Sequence, residues 1–154
     1  MLNIKPYRQK PEYCGPASLK MVLDFYGIGK TEDELAKMAG YVPTKGTKSE
    51  GLIKAAKELG FKAFQKDFSE IEDLKEYVIN KRIPVIVEWF SADDGHYSVI
   101  VDIDKKNIYM QDPELGNLRT LDIEIFKRVW FDFNEGLLKS KDDIIIRRMI
   151  VIYK

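Results

Sequence analysis

One cysteine and one histidine occur among the 154 residues, and both stand where a nucleophile and its base could be placed. Cys14 lies in RQKPEYCGPASLKMVL, directly ahead of Gly15-Pro16 and an apolar run. A thiol at the start of a helix meets the positive end of the helix dipole and unpaired N–H groups. Both favour the thiolate, the form that attacks a carbonyl carbon. A free cysteine is otherwise a small hydrophobe that packs in cores, so the position rather than the residue type singles Cys14 out. His96, in SADDGHYSVIVDI, is the imidazole available to take the thiol proton; the plain alternative is a hydrogen-bonded histidine at a strand start. Asp112, in YMQDPEL, follows 16 residues after His96, a separation at which a hairpin brings a carboxylate beside an imidazole. Pro113 confines Asp112 to extended conformations suited to a strand end. Gln9, five residues before Cys14, can return its carboxamide to the helix start and join the Cys14 N–H in stabilising an oxyanion.

These groups need a rigid frame, and the spacing of apolar residues predicts one. Cys14, Ala17, Ser18, Met21, Val22 and Phe25 fall on one helical face, with Gly27 as the stop. Leu19, Leu23 and Tyr26 add a second apolar stripe, so this helix is expected deep in the core. Three further helices are announced by the capping pairs Thr31/Glu34, Thr47/Glu50 and Ser69/Glu72, with Gly40 and Gly60 marking two ends. The second half reads as strands: RIPVIVEWF, HYSVIVDI, NIYMQD and a late IIIRRMIVIY. DIEIFKRVW is expected as a helix capped by Asp122. A block of helices followed by a block of strands predicts an α+β fold. The expectation is one domain over residues 1–154, with a helical part to about 81 whose Cys-bearing helix packs on a mainly antiparallel sheet from about 82 onward.

The proposed chemistry constrains the hairpin between the second and third of these strands. A two-residue turn at Lys105-Lys106 would set Asp112 opposite Val99, on the wrong face for His96. A three-residue turn, Asp104-Lys105-Lys106, or a bulge with the same effect, sets Asp112 opposite Ser98 and diagonal to His96. The latter register is expected, with Asp102 the next candidate should it fail.

Twenty-five Lys and Arg balance 25 Asp and Glu, so overall charge draws the chain neither to nucleic acid nor to an anionic membrane. One cysteine permits no intrachain disulfide, and with one histidine the ligands of a structural zinc site are too few. No metal is expected. No phosphate-cradling glycine loop precedes a helix, so no cofactor is expected either. No segment approaches the ~20 apolar residues of a membrane span and no signal peptide opens the chain, which predicts a cytoplasmic protein. Trp89, Asp94 and Tyr97, with Phe90 and Asp93, flank His96 and are candidates to border a substrate cleft. The bland alternatives are core packing for the aromatics and a solvated turn for the aspartates.

Taken as a set, Gln9, the Cys14-Gly15-Pro16-Ala17-Ser18 helix start, Gly95-His96-Tyr97 and Asp112-Pro113 occur in the order seen in papain-like bacteriocin-processing (double-glycine leader) cysteine peptidases and their stand-alone relatives. The chain resembles that family over most of its length, including KELGFKA and RIPVIVEWF. The resemblance implies a papain-like peptidase fold and hydrolysis of peptide bonds in a peptide or protein substrate through an acyl-enzyme. It implies Cys14 as nucleophile, His96 as general base and acid, Asp112 as the orienting residue, and Gln9 with the Cys14 N–H as the oxyanion hole. The same acyl-enzyme would serve an amidase or an acyl transferase, and a catalytically silent peptide-binding module of the same fold is a further alternative. Two features depart from the family. Its leader peptidases are usually fused to a membrane transporter with an ATPase, and this sequence carries neither, which leaves the substrate open. The gap from Gln9 to Cys14 is also one residue shorter than in many relatives.

Overall fold

The Cys-bearing helix, α1 (Cys14–Phe25), buries Gly15 to Leu19 and Met21 to Leu23. It ends as its sequence predicts. Gly27, at φ +84, turns the chain so that the Ile28 N–H reaches the Leu23 carbonyl at 2.9 Å, the closing bond of a Schellman cap. The computed structural model describes residues 1–92, 94–134 and 138–154. α2 (Glu32–Met38) opens on the predicted Thr31/Glu34 capping box. α3 (Ser49–Glu58) and α4 (Ile71–Lys75), which runs on as a π-helical turn (Glu76–Asn80), each begin one residue later than expected. Their N-caps are Lys48 and Glu70, not Thr47 and Ser69. Glu70 forms the reciprocal pair with Asp73, while the Ser69 hydroxyl donates to the Lys66 carbonyl at 2.9 Å.

The strands are β1 (Lys62–Lys66), β2 (Val85–Ser91), β3 (Asp94–Ile103), β4 (Asn107–Asp112), β5 (Asn117–Asp122), β6 (Phe131–Phe133), β7 (Ile144–Ile146) and β8 (Met149–Tyr153). Six form one antiparallel sheet in the order β1-β8-β2-β3-β4-β5, and β6 and β7 form a separate ribbon. α5 (Ile123–Val129) is the helix expected in DIEIFKRVW, with the Asp122 carboxylate accepting the Glu124 N–H at 2.8 Å. Two expectations are corrected. KAFQK, inside the presumed helical half, is the edge strand β1, too short to carry a period of its own and fixed by pairing with β8. IIIRRMIVIY is two strands. Arg147, at φ +48, breaks it, and Arg148 turns inward to grip Asp67 through Nε and Nη2 at 2.6 and 2.9 Å. One core cluster gathers apolar side chains from Leu2 to Ile152, with α1 packed on β3 and against α2 and α3, and α3 packed directly on β1 and β8.

The hairpin that carries the site reaches its expected register by the less direct of two routes. The turn is the two-residue one: Ile103 pairs with Ile108, and the Asp104 carboxylate accepts the N–H groups of Lys106 and Asn107 at 2.8 and 2.7 Å. That side-chain cap takes the place of the glycine such turns favour. A bulge between Ile100 and Asp102 then shifts the pairing, so that Ile100 meets Met110 and Val99 meets Gln111. Carried one step further, this register sets Asp112 across from Ser98. The carbonyl of the bulged Val101 is not lost, because it accepts the Leu2 N–H at 2.9 Å. The chain that leads to Gln9 is therefore docked on the same irregularity that turns Asp112 towards His96.

Candidate active site

Cys14 is the first residue of α1 and is half-buried. Among the described residues no side chain caps that terminus, and no acidic residue lies in its first turn, so nothing there offsets the positive end of the dipole at Cys14. The small residues that follow are explained by crowding. A β-carbon on Gly15 would come 3.1 Å from the Thr47 Cβ and 3.5 Å from the Tyr97 ring, so a larger residue would press on Thr47 at the helix start. Just ahead, Glu12 adopts φ +68, held by the Tyr41 hydroxyl donating to its carboxylate at 2.9 Å.

His96 comes from β3 and is 6% exposed. Its Nε2 is 2.5 Å from Asp112 Oδ1, and the Cys14 side chain is near enough for its interaction and charge to bear on the proton affinity of the ring. With Nε2 committed to Asp112, Nδ1 is the nitrogen left for the sulfur. Burial works against a charged ring. The hydrogen bonds to Asp112 and Cys14, with the negative charge of each, outweigh it and raise the His96 pKa to about 10. Asp112 shows the complementary balance: burial would raise it, but the His96 hydrogen bond and charge, the Glu114 N–H and Arg119 hold it below the usual carboxylate range.

Asp112 is 1% exposed and well supplied with partners. The Glu114 N–H donates to Oδ1 at 2.9 Å, and Arg119 Nε stands 2.8 Å from Oδ2 as an ion pair whose N–H is not aimed along the bond. The Arg119 guanidinium in turn lies 5.5 Å over the Trp89 ring. Asp102, the alternative orienting carboxylate, faces the chain N-terminus at 3.8 Å instead.

Gln9 is half-buried on the segment before α1. Its N–H donates to the Pro113 carbonyl at 2.9 Å, tying this segment to the turn after Asp112. The crossing is close: at Gly116, where φ is +68, a β-carbon would fall 2.8 Å from Arg8 Cβ. Glycine is required there on both counts.

The residues offered to a substrate cleft are placed differently. Trp89 and Tyr97 are 3% and 5% exposed, with the indole N–H donating to Ser98 Oγ at 3.0 Å and the phenol to the Thr47 carbonyl at 2.9 Å. They are scaffold: Trp89 packs edge-on against the His96 ring, 5.8 Å between centroids, and Tyr97 supports the helix start. Phe90 stacks on Phe131. Asp94 is exposed at the first residue of β3, accepting the Gly95 N–H at 2.8 Å. Asp93 lies outside the described residues.

Arg119, Glu114 and a buried carboxyl pair went unread in the sequence. Arg119 was findable, since Gly116-Asn117 signals a turn into a fourth strand of the hairpin series. Glu88 and Asp132 were not: Asp132 reaches Gly95 from β6, so close that a β-carbon on Gly95 would fall 2.1 Å from its Oδ1. Burial first, then the hydrogen bond and charge of Asp132, hold Glu88 well above the usual carboxylate range. A raised acid contributes its stability in full below its unfolded value and loses it as pH rises through the folded one. Glu88→Gln is therefore expected to flatten the fall in thermal midpoint that sets in as pH rises above the usual carboxylate range; an unchanged slope would show that Glu88 ionises normally. Among the described residues, His96, Asp112 and Glu114 bring a ring nitrogen and two carboxylate oxygens within 4.8 Å of one another. Arg119 already supplies the positive charge that a cation would bring there.

The model of the peptidase C39 family matches residues 5–134. An uncharacterized protein of Methanothermobacter thermautotrophicus is 39% identical over 117 residues, 76% of this chain and 75% of that one. The transport/processing ATP-binding protein ComA of Streptococcus pneumoniae is 33% identical over 132 residues, covering 84% of this chain but 18% of its own length. Among solved structures, the peptidase domain of Streptococcus ComA, a bifunctional ABC transporter involved in quorum sensing, superposes with a TM-score of 0.77 at 21% identity over 98% of both chains. A double-glycine-motif protease from an AMS/PCAT transporter, in complex with the leader peptide, gives a TM-score of 0.75 at 21% identity, over 99% of this chain and 92% of that one. These structures share the papain-like fold described above. No helix among the described residues is long and apolar enough to cross a membrane.

Proposed function

Because this chain belongs to the peptidase C39 family of cysteine peptidases, we propose that it hydrolyses peptide bonds through a thioester formed on Cys14. The observation that carries this reading is the buried His96–Asp112 pair, 2.5 Å from Nε2 to Oδ1, in a chain whose one cysteine heads α1. The thiolate sulfur attacks the scissile carbonyl carbon, and the carbonyl oxygen takes up the charge facing the Cys14 N–H and the Gln9 carboxamide. The His96 imidazolium gives its proton to the leaving amine as the C–N bond breaks. The neutral imidazole then takes a proton from water, whose oxygen attacks the thioester, and the carboxylic product leaves as the C–S bond breaks and the thiolate and imidazolium are restored.

Asp112 keeps the imidazole in the tautomer and orientation that this sequence needs, and the His96 hydrogen bond and charge, then the Glu114 N–H and Arg119, keep Asp112 ionised against its burial. The substrate is a peptide segment. Since one relative of this fold was solved with a leader peptide and named for a double-glycine motif, such leaders are the first to try. The test is a digest of a peptide library, double-glycine leaders included, by wild type and Cys14→Ala. Cleavage that survives the substitution would end the proposal.

Gln9 is expected to act on the transition state. Removing one oxyanion donor costs roughly 100-fold or more in turnover, so Gln9→Ala should lower kcat with KM little changed. A rise in KM alone would make Gln9 a substrate-binding residue.

A further inference from the structure

Glu32 is 3% exposed at the first turn of α2, outside the Cys-His-Asp constellation. Burying a carboxylate is costly unless hydrogen bonds compensate it. Here the compensating donors come from the segment around Gln9. The Lys10 N–H donates to Oε2 at 2.9 Å and the Tyr7 hydroxyl donates to Oε1 at 3.2 Å. Burial first, then the charge and hydrogen bond of Glu32, raise the Tyr7 pKa, so Tyr7 remains a donor throughout the working range. The carboxylate thus bridges the residues on either side of Gln9.

Gln9 itself has little to hold it from its tip, because its buried Oε1 finds no hydrogen-bond partner among the described residues. Its position is inherited from the backbone. That backbone is fixed at two successive N–H groups: Gln9 to the Pro113 carbonyl and Lys10 to Glu32. The first anchor belongs to the turn that follows Asp112. The second belongs to a different helix. Together they lock the segment between the two halves of the site. We infer that Glu32 is a positioning residue for the oxyanion hole, acting through the Tyr7–Lys10 segment on Gln9.

This rests on the reading of Gln9 as an oxyanion donor, and the experiment separates the two. On a peptide that the wild type cleaves, Glu32→Ala is expected to lower kcat about 10- to 100-fold, as a misplaced catalytic group does, with KM within about twofold. Alkylation of Cys14 by iodoacetamide passes through no oxyanion, so its rate in Glu32→Ala should match wild type. That match also reports an intact site. Glu32→Gln keeps an acceptor for the Lys10 N–H and should recover most of the loss. In the Gln9→Ala background, Glu32→Ala should add little further loss, since its effect runs through a side chain already removed.

An unchanged kcat in Glu32→Ala, or losses that multiply in the double variant, would overturn the inference. An inert Gln9→Ala would instead overturn the oxyanion reading beneath it. If Glu32→Ala does not fold, Tyr7→Phe, which removes only the Oε1 contact, should show the same kcat loss at smaller amplitude with unaltered alkylation. An unchanged kcat there would count against Glu32 equally.

Discussion

Cys14→Ala is expected to abolish peptide cleavage, with a fall in kcat on the order of 10⁶, and His96→Ala to match it within about tenfold. The reason lies in how the two groups depend on each other. In the proposed mechanism His96 holds the proton that the leaving amine must receive, and Cys14 is the only cysteine in the chain, so losing either would leave the other without a task. The double variant should therefore be no slower than the worse single one. Alkylation gives a readout that requires no substrate. Iodoacetamide should label native Cys14 faster than Cys14 of the unfolded chain, because a cysteine at a helix N-terminus near an imidazolium is the more reactive kind. His96→Ala should slow that labelling. If native and unfolded chains react alike, the thiol is not activated.

Asp112→Ala is the second large effect, expected on the order of 10³–10⁴ in kcat and smaller than that of Cys14→Ala. It disturbs the orientation and charge of the imidazole while nucleophile and base stay in place. Some function should persist because Glu114 Oε2 stands 3.8 Å from His96 Nε2 and can accept part of the lost role. Its distinguishing mark is in the pH profile. The Asp112 hydrogen bond and charge help to raise His96 to about 10, so the alkaline limb of kcat/KM should fall near that value in wild type and at lower pH in Asp112→Ala. The same shift has a stability counterpart. A histidine whose folded pKa is raised contributes fully below its unfolded value and loses that contribution as pH rises through about 10. Asp112→Ala should therefore cost most stability near neutral pH and progressively less towards strongly alkaline solution. A limb that stays in place would mean that another group sets the His96 proton affinity.

Much of this site was legible in the chain because the informative signals were local. A thiol before Gly15-Pro16 and an apolar helical run, a histidine opening an apolar strand, and a carboxylate pinned by Pro113 each declare themselves within a few residues. Cys14 does begin α1, and His96 and Asp112 do meet. The helix ends at Gly27, Gly40 and Gly60 were equally readable, since each glycine takes a positive φ that other residues resist. Short-range preferences also placed the Thr31/Glu34 cap, but they missed by one residue at Thr47, where Lys48 takes the N-cap position without a side-chain cap, and at Ser69, where Glu70 takes the capping role.

What the sequence alone determined is which residues are chemically suited and which faces of their own elements they occupy. Cys14 heads a buried helix, Asp112 ends a strand, and the alternation along β3 separates His96 from Tyr97. Only the tertiary structure decided how those faces are brought together. The turn took the two-residue form, and the bulge that returned Asp112 to the His96 face depends on Leu2 satisfying the Val101 carbonyl from the far end of the chain. Trp89 and Tyr97 looked like cleft residues but are buried, because the site is built on their rings and not lined by them. The placing of β1 and β8 side by side, Arg119 behind Asp112, Asp132 against Gly95 and Glu32 beneath the Gln9 segment all join residues far apart in sequence. No local pattern encodes such pairings: they are selected by burial and by the need of each buried polar group for a partner, which is satisfied only once the whole chain has folded.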